Sequence, residues 1–132
     1  MIAVDTNVVV RLLTGDDSKQ AAAARSLFAA GPIWIAKTVL LETDWVLRRI
    51  YGFEEGAIRD AFTKLLGLKG VHTEDKPGMS AALAMTAHGI ELADAMHLTS
   101  RPPGTPFVSF DQSFIRRAKG AGATQVSELV GK

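Results

Sequence analysis

Apolar residues along this chain gather in runs of three or four, separated by longer stretches where they recur at helical spacing. The runs Met1-Ile2-Ala3-Val4 and Phe107-Val108-Ser109-Phe110 read as buried parallel strands, because strands covered on both faces are almost continuously apolar. Ile33-Trp34-Ile35 reads as another short strand, as does Val71-His72-Thr73, with an edge strand near Thr124–Val126. Between them the spacing predicts helices. The first is Val8–Leu13, ended by Thr14-Gly15, and the second runs from an Asp16-Asp17-Ser18 cap to about Ala30, stopped by Gly31-Pro32. A third starts at a Thr38 cap and reaches about Tyr51. A fourth, Glu54–Leu68, puts Ile58, Phe62, Leu65 and Leu66 on one face. Pro77 opens a fifth to about Ala87, which His88-Gly89 breaks, and Glu91–Thr99 follows. After a proline-rich loop at Ser100–Pro106, Ser113–Gly120 is the last. Short strands alternating with helices lead to right-handed crossovers and a parallel sheet, so the expected class is α/β. With 132 residues, no internal repeat and no linker, residues 1–132 read as a single domain.

Four carboxylates stand out against this pattern. Asp5 closes the first apolar run and Asp111 follows the run at 107–110, and ligands of open α/β sheets bind beyond the carboxyl ends of strands. Glu42 and Asp94 lie in the apolar segments Val39-Leu40-Leu41-Glu42 and Ile90-Glu91-Leu92-Ala93-Asp94-Ala95-Met96, where an unpaired charge is costly. Four acids brought together repel one another unless protons or cations compensate them. Hard oxygen donors favour magnesium or manganese, so the pattern points to metal-dependent chemistry. Asp5 and Asp111 also suit plain helix caps, Asp16 and Asp17 read as caps, and Asp44 reads as a helix-surface acid. His72, His88 and His97 show no H-x-x-x-H spacing. His97, three residues past Asp94, reads more readily as a packing histidine than as a site residue.

Composition narrows the picture without deciding it. There is no cysteine, which excludes disulfides and thiolate zinc sites. The start MIAVDTN has neither a basic n-region nor a long apolar h-region, and no apolar stretch approaches the roughly 20 residues of a membrane span. A cytoplasmic protein with no membrane partner is therefore expected. Net charge is +1, but setting the four acids aside leaves 15 basic against 10 acidic side chains, a mild excess that suits a polyanionic partner. Arg11, Lys37, Arg48, Arg49, Arg116 and Arg117 are candidates to hold nucleic-acid phosphates, each weighed against an ordinary solvated charge. Trp34 and Trp45 read as core or interface residues rather than base-stacking platforms.

Taken together, Val4-Asp5-Thr6-Asn7, Leu41-Glu42-Thr43, Ala93-Asp94-Ala95-Met96-His97-Leu98 and Ser109-Phe110-Asp111 resemble the PIN-domain ribonucleases. The likeness is strongest to the VapC toxins of bacterial type II toxin–antitoxin modules, and it extends from MIAVDTNVVVRLL through LLETDWVLRRIYG and ELADAMHL to FVSFDQSF. The resemblance implies a three-layer α/β/α sandwich with a short parallel sheet. It also implies Mg2+- or Mn2+-dependent endoribonuclease activity on transfer RNA or structured ribosomal RNA. A homodimer held in check by a VapB-like antitoxin belongs to the same picture. On this resemblance Asp5, Glu42, Asp94 and Asp111 are the catalytic, metal-binding quartet, with Asp5 and Asp94 the foremost direct ligands. Thr6, Asn7 and Ser109 would steady the carboxylates by hydrogen bonding. Family members commonly carry threonine where Ser109 stands, and the hydroxyl is retained. A fifth acid sometimes follows the last one, but here Gln112 does, so a second tightly held metal has less support than the first.

Two other α/β enzyme and signalling classes fit less well. An aspartyl-nucleophile phosphatase needs a second acid two residues after the first, and that position is Asn7. A receiver domain needs an acidic pair at the first strand end and a phosphoacceptor aspartate after a central strand, and neither is present. The remaining alternative is a non-catalytic PIN-like protein that binds RNA or serves a structural role.

Overall fold

A computed structural model describes residues 1–131. Its elements follow the order β1 (Ile2–Ala3), α1 (Thr6–Thr14), α2 (Ser18–Ala30), β2 (Ile33–Trp34), α3 (Lys37–Arg49), α4 (Glu55–Gly67), β3 (Val71–His72), α5 (Lys76–Thr86), α6 (Leu92–Thr99), β4 (Phe107–Ser109), α7 (Gln112–Gly120) and β5 (Val126–Glu128). The α/β class expected from the sequence is the one observed. All strand pairs are parallel, and the chain divides into two compact units, Met1–Lys76 and Pro77–Lys132.

In the first unit β1, β2 and β3 pair in that order, with Ile2 opposite Ile33 and Ile33 opposite Val71. Each strand is only two residues long, so the chain enters a helix almost at once, and side chains at these junctions do the capping. Asp5 caps α1, accepting from the Val8 N–H at 3.4 Å, and Gly15 closes it in the left-handed conformation at φ 66°. Asp17 caps α2 through the Gln20 N–H at 2.9 Å, as the Asp-Asp-Ser signal predicts. Val9, Val10, Ile33, Ile35, Leu40, Leu47 and Phe62 are buried, as are Ile58, Leu65 and Leu66 on the predicted face of α4.

α3 departs from its predicted start. Thr38 is not the cap; the helix begins after Ala36, which supplies no side-chain acceptor. A carboxylate distant in sequence takes that role, Glu74 Oε1 accepting from the Lys37 N–H at 2.9 Å. Local pattern contains no trace of such a partner, because the orphan N–H groups of a helix start donate to any acceptor that folding delivers.

In the second unit β4 pairs with β5, Phe107 opposite Val126 and Ser109 opposite Glu128. β5 begins two residues beyond the start of the predicted edge strand. Gln125 adopts φ 56°, which breaks extended backbone just before Val126. Arg101 fixes that turn, its guanidinium donating to the carbonyls of Thr105, Gln125 and Thr124 at 3.0, 3.3 and 2.8 Å. Met79, Ala82, Leu83, Ile90, Leu92, Ala95, Leu98 and Ala118 are buried.

The expectation that β1 and β4 are buried is overturned. Ile2 and Ala3 are exposed, and Val108 and Phe110 are 54% and 69% accessible. β1 is the edge of its sheet and β4 belongs to a two-stranded one, so an apolar run here marks pairing rather than cover on both faces.

Replacing Glu74 by Ala removes the acceptor at the start of α3 and is expected to cost about 1 kcal/mol, the usual worth of a helix cap. Urea unfolding of the purified chain measures it, and an unchanged midpoint would rule the cap out as a stabilising contact.

Candidate functional site

The four acids singled out by sequence divide between the units: Asp5 and Glu42 belong to the first, Asp94 and Asp111 to the second. In the first unit Asp5 is exposed at the start of α1, its Oδ1 engaged by the Val8 N–H. Thr6, the next residue, is buried, and its hydroxyl donates a short hydrogen bond to Glu42 Oε1 on α3. Glu42 itself is exposed, contrary to the reading of its apolar neighbours. The reason is rotational: Leu40, Thr43 and Leu47 take the buried face of α3, while Glu42 and Trp45 point outward, Trp45 being 54% accessible. Asn7 does not join this contact. It lines a cleft of about 390 Å³ between α1 and α2, with Val8, Arg11, Gln20, Ala23, Ala24 and Leu27.

In the second unit Asp94 stands in the first turn of α6 and Asp111 caps α7. The Asp111 carboxylate is fixed through Oδ1, which accepts from the Phe114 N–H at 3.0 Å, and its backbone N–H donates to Ser109 Oγ at 3.0 Å. Ser109 thus steadies Asp111 through the backbone. Both acids line one cavity of about 210 Å³, together with Gly89, Ile90, Glu91, Phe114 and Arg117. Burial pushes the Asp94 carboxyl above its ordinary 3.8. The Glu91 charge raises it further, as does that of Asp111, while His97 pulls the other way. His97 is exposed rather than a packing histidine, and its charge is felt at Asp94.

Glu91 is the site-lining residue that sequence reading passed over. It immediately precedes α6, three residues before Asp94, a spacing at which like charges on adjoining turns repel. That repulsive spacing was the available signal. Among the described residues no three histidine or carboxylate side chains are gathered as a group able to hold a metal ion by themselves.

The basic candidates separate sharply. Arg11 donates to Gln20 Oε1 at 2.8 Å and to the Tyr51 hydroxyl at 3.0 Å, and it lies 3.8 Å from Asp16. Tyr51 in turn donates to Asp16 Oδ2 at 2.8 Å. Arg48 pairs with Asp44 at 3.0 Å, and Asp44 is buried rather than the surface acid its position suggested. Lys37 is half-buried at the start of α3, while Arg49 and Arg116 are exposed. Arg117 alone among the six lines the cavity with Asp94 and Asp111.

Because folding raises the Asp94 pKa, ionising this carboxyl costs the folded state. The folded state bears no such cost below the ordinary 3.8, where Asp94 is neutral folded or unfolded, and bears it in full once pH has risen through the raised value. Asp94→Asn is therefore expected to melt higher than the wild type at neutral pH, with the gap closing on acidification towards 3.8. Thermal unfolding from about pH 4 to about pH 8 checks this; a pH-independent gap would assign the effect to packing.

Among the described residues no helix is long and apolar enough to cross a membrane. Comparison with curated proteins and with solved structures returned no match. A family profile, that of the PIN domain, matches residues 2–120. PIN domains are generally nucleases, typically use divalent metals, and their presence suggests RNA binding. Their three-layer α/β/α fold agrees with the helices and short parallel strands found here. With the match covering most of its length, this chain belongs to the PIN domain family.

Proposed function

We propose that this chain is a metal-dependent endoribonuclease of the VapC type, and that Asp5, Glu42, Asp94 and Asp111 are the acids its catalysis uses. The observation that carries the reading is the cavity shared by Asp94 and Asp111, where burial first, then the charge of Glu91 and lastly that of Asp111 raise the cost of ionising Asp94. A fold with only a structural role gains nothing from that repulsion. A site that binds a cation does, because the cation removes the cost.

The donor set fits such an ion. Magnesium takes hard oxygen ligands, keeps several waters, and is commonly held by one or two carboxylates together with substrate phosphate. Asp94 and Asp111 supply two carboxylates at one cavity, so three gathered protein ligands are not required. When bound, the ion lowers the pKa of a coordinated water and withdraws charge from the phosphoryl oxygens. The chain's own residues hold the carboxylates ready. The Phe114 N–H occupies Asp111 Oδ1 and leaves Oδ2 for a ligand, and Thr6 fixes Glu42 in the same manner through Oε1. The expected products carry a 5′-phosphate and a 3′-hydroxyl. Because this hydrolysis does not use the 2′-hydroxyl, the choice of RNA over DNA rests on family membership.

The finer features follow the same resemblance. The target is transfer RNA or a structured ribosomal RNA segment, and the activity is held in check by a VapB-like antitoxin whose C-terminal segment covers the acidic groove. Self-association as a homodimer is supported by the exposed apolar side chains Val108, Phe110, Leu129 and Val130 in the second unit. A cytoplasmic location accords with this role.

Purified chain, free of antitoxin, is to be incubated with total RNA in magnesium, manganese or EDTA, and new 5′ ends mapped. Discrete metal-dependent cuts are expected, falling by at least about 10²- to 10³-fold in Asp5→Ala and in Asp94→Ala, the loss typical of removing one preorganised hydrogen-bond donor from a catalytic site. RNA retention in EDTA with no cleavage in any divalent ion would instead favour the non-catalytic alternative. Independently of activity, magnesium at about 100 times its Kd is expected to stabilise the wild type by about 2.7 kcal/mol and Asp94→Asn by less.

A further inference from the structure

We infer that Arg117 is the residue that grips an RNA phosphate at the cavity lined by Asp94 and Asp111. This rests on the nuclease reading above and narrows it, since it picks one cation from six. Arg11 is bound to Gln20, Tyr51 and Asp16, and Arg48 is committed to buried Asp44. Arg49 and Arg116 are exposed but do not line the acidic cavity, and neither does Lys37.

Arg117 projects from α7, six residues after Asp111, and its stem rests on Gly89. A Cβ placed on Gly89 would lie 3.7 Å from both Cδ and Nε of Arg117, ordinary contact that a larger side chain would turn into collision. Gly89 also sits at φ 77°, in the left-handed region that glycine adopts without penalty. The guanidinium is thereby seated at the cavity by packing rather than by an ion pair. The ion pairs Arg11–Asp16 and Arg48–Asp44 do not involve Arg117.

That combination is what a phosphate site requires. A guanidinium already bridged to Asp94 or Asp111 would be neutralised and unavailable. One held nearby but unpaired keeps its planar fork of N–H donors for two oxygens of a phosphodiester. The same cavity offers the phosphate a cation together with the carboxylates and any ion they hold.

The test uses the full chain as wild type, Arg117→Gln, Arg117→Lys and Lys119→Gln, the last removing an equal charge from the same helix away from the cavity. All four are first matched for thermal unfolding. Binding of end-labelled total RNA is then followed with calcium in place of magnesium, from about 50 to about 200 mM salt, beside cleavage in manganese. Arg117→Gln is expected to weaken binding about tenfold and to flatten the slope of log affinity against log salt by about 0.7 to 0.9, the signature of one lost phosphate contact. Arg117→Lys should restore the slope but not all the affinity, because an ammonium lacks the fork. Lys119→Gln should match the wild type. Arg117→Gln that binds and cuts like Lys119→Gln would overturn the assignment while leaving the nuclease intact. A wild type that cuts nothing, yet loses RNA affinity with Arg117→Gln, would overturn the nuclease reading and keep Arg117 as the phosphate grip.

Discussion

A strand two or three residues long cannot carry its chain far, so each crossover in this protein turns directly into a helix whose first N–H groups need an acceptor. Asp5 and Asp111 meet that need at the ends of β1 and β4. The bond fixes the rotamer of each carboxylate at the amino end of its helix. Only one oxygen is occupied, Oδ1 in both cases, and the other remains for a ligand. Capping therefore leaves the second oxygen of each side chain open for the site role proposed above. The apparent rivalry between a structural and a functional aspartate at a strand end disappears.

Asp94 is held differently. It has no capping bond and is half-buried in the first turn of α6, beside Glu91 and within the field of Asp111. Burial is the largest of the forces opposing its charge, followed by Glu91. Tolerating such a residue costs folding stability, which is the usual condition of a group kept for binding rather than for packing. His97 offsets part of that cost from the exposed side of the same helix.

Cations in this protein are sorted by what packing leaves them. Arg11 and Tyr51 tie α1, the start of α2 and the end of α3 together through Gln20 and Asp16, and Arg48 satisfies the buried Asp44. Removing either arginine would expose a partner to an unmet hydrogen bond or charge, a structural penalty unrelated to RNA. Arg117 has no such duty and also lines the acidic cavity, and the two together set it apart from five residues that a sequence alone ranks as its equals.

Periodicity, caps and breakers were enough to determine the α/β class, the place of most helices, the buried face of α4 and the strand-end settings of Asp5 and Asp111. Each of those rests on interactions between residues three or four apart, which a linear pattern records. The cap of α3 was hidden because Glu74 lies 37 residues from the N–H it serves. The burial of Asp44, the exposure of Glu42 and the openness of β1 and β4 were hidden for a related reason: facing is set by rotation of a whole helix and by rank in a sheet. The place of Glu91 beside Asp94 was visible as spacing, yet its meaning depended on the cavity that Asp111 and Arg117 also reach. The sequence by itself determined which acids stand at strand ends and helix starts, because that is local hydrogen-bond chemistry. Tertiary structure alone decided which charges face a common cavity and which are spent on packing, because Coulomb energy depends on distance through space rather than along the chain.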